Sequence, residues 1–354
     1  MDSQEGEIRK IQFSGKSSFM LALPKQWADE MGLGQGDQVA ITRHSNVSLL
    51  VTPRKFSGSR PRNDVVVMVS SGESVDYVVR QVISLYVTGR SAMHIVAKEG
   101  RLSSAQKAAI KLAVRKHLIG TEVVADSNES ITVQVLLSYP ELNVENVIKR
   151  MSLVTASMLK ESVQSLVRGN REEASEVIRT DDEVDRFSLY LFRQLNLAAQ
   201  SDKVLKDVGL NSSMECMAYG LVGRSIERVA DHATRIAQEV FVMESPLEDA
   251  LSLPLVTLTD FASGLLDESV LSLFKRDYGG ADKVVERAKL FADMEKGFLE
   301  GLQRSKGTVS YYAMRHVVEA IRRTAEYSSD IAEMVLNTTV HSRVKEAVED
   351  SPKV

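Results

Sequence analysis

The chain has 354 residues, a formal net charge of −4 and only 6% aromatic residues. That length predicts two or three domains, and an apolar quota filled by Met, Leu, Val, Ala and Ile favours packed helices over a β-sandwich or barrel. One cysteine, Cys216, excludes an internal disulfide and a cysteine-based zinc site, and it suits a reducing compartment.

The opening MDSQEGEIRK is polar and does not read as a signal peptide. No apolar run approaches the roughly 20 residues of a membrane helix, so a cytoplasmic protein without membrane insertion is expected. The charge is uneven. Residues 1–62 carry nine Lys or Arg against six Asp or Glu, net +3, and the remainder carries 35 against 42, net −7. A positive N-terminal piece on an acidic body points to an anionic partner for that piece alone.

In chain order, RKIQFSG and SSFMLALP read as strands around a Gly15-Lys16 turn, Pro24 opens a short helix KQWADEM, and GQGDQVAITRH with VSLLVTP gives a second strand pair. This 1–55 segment has two hairpins and little to bury them against, a deficit that dimerisation would relieve. Trp27 is expected in its core. Residues 56–64 read as a linker. Residues 65–140 alternate VVVMVS, ESVDYVVRQVISLYVTG, AMHIVA, SSAQKAAIKLAVRKHLIG, TEVVAD and ITVQVLL, a βαβαββ order that predicts a small α/β domain. Ser103 or Ser104 is the N-cap of its second helix and Gly120 follows as a stop. No Gly-rich phosphate loop is present, since SSGESV is too short and lacks a lysine.

From Asn143 onward only helical patterns occur. Three long helices fill 143–245. Three more are expected in 250–345, around Thr257–Lys275, Ala281–Gln303 and Ser310–Val344. Each third helix carries two carboxylates four apart, Glu227 with Asp231 and Glu326 with Asp330, an offset of 99 residues that marks an internal duplication. Arg224 and Arg323 each precede the glutamate by three. Residues i and i+4 share a helix face, so each pair projects together. Asp181 and Asp185 on the second helix of the first repeat have the same spacing, and four carboxylates from two antiparallel helices can converge in a bundle groove. Oxygen donors suit Mg²⁺, Mn²⁺, Ca²⁺ or iron, and Zn²⁺ tolerates them. The same spacing also arises on solvated faces and in Arg–Glu networks. His232, about 100° around the helix from Asp231, reads as a surface or packing residue rather than a ligand.

The residues IRTDDEVDRF and GRSIERVADHATRIAQEV resemble the PhoU family of phosphate-signalling regulators, over about residues 143–345. The resemblance implies two three-helix repeats and a metal ion held by Asp181, Asp185, Glu227, Asp231, Glu326 and Asp330, divalent or trivalent, with Fe, Zn, Mn or Mg as candidates. The second repeat departs from the pattern: VVERAKLFADMEKGF puts Ala288 and Ala292 where an acidic pair belongs. The stretch GKSSFMLALPKQWADEMGLGQGDQVAIT resembles AbrB-like swapped-hairpin modules, in which two chains interlace. That likeness implies a homodimer and duplex DNA as partner, with Lys10, Lys16, Lys25 and Arg43 as phosphate contacts.

The expected protein is therefore multidomain: a swapped-hairpin β domain, a small α/β domain and an all-α pair of three-helix bundles. Its expected role is a phosphate-responsive DNA-binding regulator rather than an enzyme. The alternative is a dimeric adaptor of a phosphate-transporter ATPase or sensor kinase that does not bind DNA. No Glu-x-x-His motif of the di-iron type and no nucleophile constellation is visible, so no catalytic residue is assigned.

Overall fold

The computed structural model describes residues 7–15, 18–43, 48–53, 63–136, 142–243, 245–304 and 311–340; Lys16 and most of the 56–64 linker fall outside them. The chain divides into two units, residues 1–63 and 64–354.

In the first unit β1 (Gln12–Ser14) pairs antiparallel with β2 (Ser18–Met20), placing Phe13 opposite Phe19. Their rings meet edge to face with centroids 5.2 Å apart. Helix α1 (Lys25–Glu30) starts after Pro24, whose carbonyl accepts the first helical hydrogen bond from Ala28. The Asp37 carboxylate then accepts from the Gly34 amide at 2.8 Å and fixes the turn into β3 (Val39–Arg43), which pairs antiparallel with β4 (Leu49–Pro53). The apolar side chains find no interior. Ile11, Phe13, Phe19, Ile41 and Leu49 are each more than 60% exposed. Trp27, expected in a core, is 42% exposed, because two short hairpins of one chain enclose no volume to receive it.

The second unit begins with the predicted βαβαββ order: β5 (Asp64–Val69), α2 (Val75–Val87), β6 (Ala92–Ala97), α3 (Ser104–His117), β7 (Thr121–Asp126) and β8 (Ser130–Val135). The sheet order is β5-β6-β8-β7, with β5 parallel to β6 and β8 antiparallel to both its neighbours. Ser103 is the N-cap of α3 and forms a reciprocal capping box with Gln106. The buried Gln106 amide also donates to the carbonyls of Ser70 and Glu73, tying the helix start to the β5–α2 loop.

Long helices follow. Helix α4 (Val144–Arg168) ends on Gly169 in the left-handed conformation, and Asn170 caps α5 (Arg171–Ala199) by accepting from Glu172 and Glu173. A short α6 (Asp202–Asp207), not anticipated from the sequence, precedes α7 (Ser213–Val242), whose N-cap is Ser212. Helices α4, α5 and α7 pack on one another as the first repeat.

The second repeat differs from its expected outline. Helix α8 (Asp249–Lys275) starts eight residues before Thr257 and carries Pro254 inside it, where one helical hydrogen bond is missing. The expected continuous helix over Ala281–Gln303 is two, α9 (Tyr278–Ala288) and α10 (Phe291–Arg304). Phe291, 2% exposed, turns into the core at that break, its ring 6.5 Å from that of Phe261. Helix α11 (Tyr311–Thr339) packs against both α8 and α7, and α4 also touches α8, so both repeats share one apolar core.

The α/β layer grips α5. Arg193, 1% exposed, donates to the carbonyls of Tyr86 and Gly89 at the end of α2, its guanidinium 4.9 Å above the Tyr86 ring. Asn196 donates to the Val87 carbonyl at 3.0 Å. Gly89 has φ +94°, and a Cβ there would stand 2.6 Å from Leu197 Cδ2, so the close approach of α2 to α5 requires glycine.

Candidate metal centre

Helices α5 and α7 bring together the four carboxylates of the first repeat. The approach is set by Gly223 on α7, where a Cβ would fall 2.2 Å from Leu191 Cδ2 of α5. One turn later along α7 come Glu227 and Asp231. They face Asp181 and Asp185 of α5, and neighbouring carboxylates act on Asp181, Asp185 and Glu227. Burial first, then the charges of Asp185, Asp231, Glu227 and Asp182, push the Asp181 carboxyl up to about 7. Burial and Asp231 raise Asp185, with His117 and Arg224 pulling the other way. Burial also raises Glu227, with Arg224 the main opposing charge.

Arg224 supplies the one direct cationic contact to this pair of motifs among the described residues: its Nη1 donates to Glu227 Oε1 at 3.0 Å. The other oxygen, Glu227 Oε2, is buried with no hydrogen-bond partner. A buried carboxylate oxygen left without a donor is costly, and a bound cation or proton would relieve it. Beside it lies a cavity of about 290 Å³ whose wall includes Asp185, Glu227, Arg224 and His117. Among the described residues no three His, Cys, Asp or Glu side chains already stand close enough to enclose a metal ion. The arrangement is a set of hard oxygen donors, mutually repelling and open on one side. It fits a cation such as Mg²⁺, Mn²⁺, iron or Zn²⁺ that would draw the carboxylates inward.

Glu326 and Asp330 do not join this group. They lie on α11, where Glu326 is already held by two guanidinium groups. Arg323 Nη1 donates to Glu326 Oε2 at 2.9 Å, and Arg322 Nη1 donates to Glu326 Oε1. The Nε of Arg322 also lies 3.6 Å from Glu295 Oε2 on α10, and its Nη2 lies 3.6 Å from Glu319 Oε1. An internal cation thus sits among Glu295, Glu319 and Glu326. Asp330 is exposed, its carboxyl raised by partial burial and by Glu333 and Glu326.

Arg322, Glu295 and His117 escaped the sequence reading. The first left a signal: 99 residues before Arg322 stands Gly223, so the repeats read GRSIE and RRTAE. Glu295 and His117 left none, because each reaches its neighbours across helices. Of the surface and packing roles open to His232, the structure shows packing: its ring, 9% exposed, stacks on Tyr327 of α11 with centroids 5.8 Å apart. Of the expected DNA contacts, Lys10 and Lys25 are exposed on the first unit, Arg43 ends β3, and Lys16 is outside the described residues.

Residues 148–240 match the PhoU domain. The matched span holds both halves of the carboxylate quartet, Asp181 with Asp185 and Glu227 with Asp231. Residues 12–58 match a second family, the antidote-toxin recognition MazE bacterial antitoxin. None of the curated proteins matches the chain. Similar solved structures include the phosphate transport system regulatory protein PhoU from Streptococcus pneumoniae, at TM-score 0.47 and 14% identity over 57% of this chain and 96% of that one. Another is PhoU from Pseudomonas aeruginosa, at TM-score 0.47 and 15% identity over 56% and 96%. No helix among the described residues is long and apolar enough to cross a membrane.

Proposed function

We propose that this protein is a phosphate-signalling regulator that dimerises and binds duplex DNA through residues 1–55. In this reading its helical repeats bind a metal ion at the α5–α7 carboxylates and dock partner proteins. The observation that carries the reading is the union in one chain of a PhoU domain with an antitoxin-type hairpin domain. A second copy of the hairpin domain would cover the exposed Phe13, Phe19, Ile41 and Leu49 and complete a core that one copy lacks. Lys10, Lys16, Lys25 and Arg43 would then each be present in two copies per dimer. No catalytic step is assigned; the carboxylates serve as ligands rather than as general acids.

The test is retardation of duplex DNA from phosphate-transport promoters by the full chain. Affinity should fall steeply as salt rises, and Lys10→Ala with Lys25→Ala should lower both the affinity and the salt slope. Absence of retardation at low salt, together with co-purification of a transporter ATPase or a sensor kinase, would replace this reading with that of a dimeric adaptor. The exposed apolar hairpins suit that second reading equally, because dimerisation alone would bury them.

A further inference from the structure

Helices α7 and α11, the third helices of the two repeats, pack side by side and leave a groove of about 790 Å³ between them. It lies apart from the carboxylate quartet, and the role proposed above makes no use of it. One end is balanced: His316 Nδ1 is 3.6 Å from Glu239 Oε1. The other end is built differently. Arg235 of α7 is exposed and has no carboxylate partner among the described residues. Arg323 of α11 reaches into the same groove from Glu326, at 2.9 Å, and Glu319, at 3.8 Å, so its guanidinium is held in place.

Between them stands His232, nine-tenths buried and stacked on Tyr327. Its Nδ1 is enclosed with no hydrogen-bond partner. An orphaned buried N–H is rarer and costlier than an orphaned acceptor. The proton therefore belongs on Nε2, the nitrogen the ring can offer to the groove it lines.

We propose that this groove binds a phosphate group, free or carried on a small organic molecule, through Arg235, Arg323 and the Nε2–H of His232. Guanidinium groups and an imidazole N–H offer donors only, which suits an oxyanion with several acceptor oxygens. The groove is wider than a single tetrahedral ion needs, and Ile236, Val317 and Ala320 supply an apolar floor for an attached organic part. Glu319 limits the charge available to the ligand, and Arg235 is the cation it leaves uncommitted.

The experiment is calorimetric titration of the metal-free full chain at constant ionic strength, first with inorganic phosphate and then with adenosine 5′-monophosphate. Saturable binding of phosphate at millimolar concentration, at one site per chain, is expected. Arg235→Gln, an exposed change that leaves the fold intact, should weaken it about tenfold, the loss of one charge-assisted hydrogen bond. Asp181→Asn with Asp185→Asn should leave it unchanged, which separates this site from the carboxylates. Tighter binding of the nucleotide than of phosphate would assign an organic phosphate, and equal or weaker binding the free ion. Absence of phosphate binding at millimolar concentration, or undiminished binding in Arg235→Gln, would overturn the proposal.

Discussion

The carboxylate-bearing helices of the two helical regions, α7 and α11, meet the same electrostatic problem in opposite ways. In the first, burial and neighbouring carboxylates lift Asp181, Asp185 and Glu227, and Arg224 forms an ion pair with Glu227 alone. In the second, Arg322 and Arg323 stand among Glu295, Glu319 and Glu326. The difference turns on one pair of equivalent positions, Gly223 and Arg322. Glycine lets α7 close on α5 and leaves the acidic groove open to an external cation. Arginine brings the cation with the chain. The two helices differ in where the positive charge comes from.

The largest expected effect comes from moving that arginine. Gly223→Arg would drive a side chain into Leu191, which a Cβ alone already approaches to 2.2 Å. Overpacking of this kind costs about 3 kcal/mol, read as a lower midpoint in urea unfolding. Wild-type stability in that variant would mean the helices do not need glycine there, and the asymmetry would lose its physical basis.

A second test uses pH. Asp181, at about 7 when folded, lies above its ordinary unfolded value, so the folded metal-free protein holds a proton that the unfolded chain releases. That contribution is fully present below about pH 4 and is lost as pH rises through about 7. Thermal stability of metal-free protein should therefore decline between about pH 5 and about pH 8, and Asp181→Asn should flatten the decline. A rise over that interval, removed by the same substitution, would contradict the described burial of the carboxylate.

A smaller effect is expected in the second repeat. Arg322→Leu removes the internal cation and should cost about 1 kcal/mol, since the pairs are partly solvated. Made in a Glu227→Ala, Asp231→Ala background, it should then gain thermal stability on addition of Mn²⁺ where that background with Arg322 intact does not. Failure to gain it would show that Glu295, Glu319 and Glu326 are not a masked counterpart of the first site.

Much of this was legible in the sequence, for identifiable reasons. The α/β strands and helices follow from alternating Val-rich runs and local caps such as Ser103. The α4–α5 turn follows from Gly169-Asn170, whose roles are confined to neighbouring residues. Local rules failed where tertiary packing decided. The helix expected from about Thr257 begins at Asp249 and runs through Pro254. The α9–α10 break falls in RAKLFAD, where every residue tolerates a helix and only burial of Phe291 explains the turn. The face shared by Asp181, Asp185, Glu227 and Asp231 was predictable from the spacing of four. The i,i+4 pair of Arg322 and Glu326 lay within one helix and was overlooked, whereas the part of Glu295, on another helix, was not legible.

The most direct test of the central claim is metal content by elemental analysis after equilibration with Mn²⁺, Fe and Zn²⁺ and removal of excess ion. Three proteins are compared: wild type, Glu227→Ala with Asp231→Ala, and Glu326→Gln with Asp330→Asn. The account predicts that the wild type and the second-repeat variant retain the same metal and that the first-repeat variant loses it. Equal metal in all three proteins, or loss confined to the second-repeat variant, would contradict it.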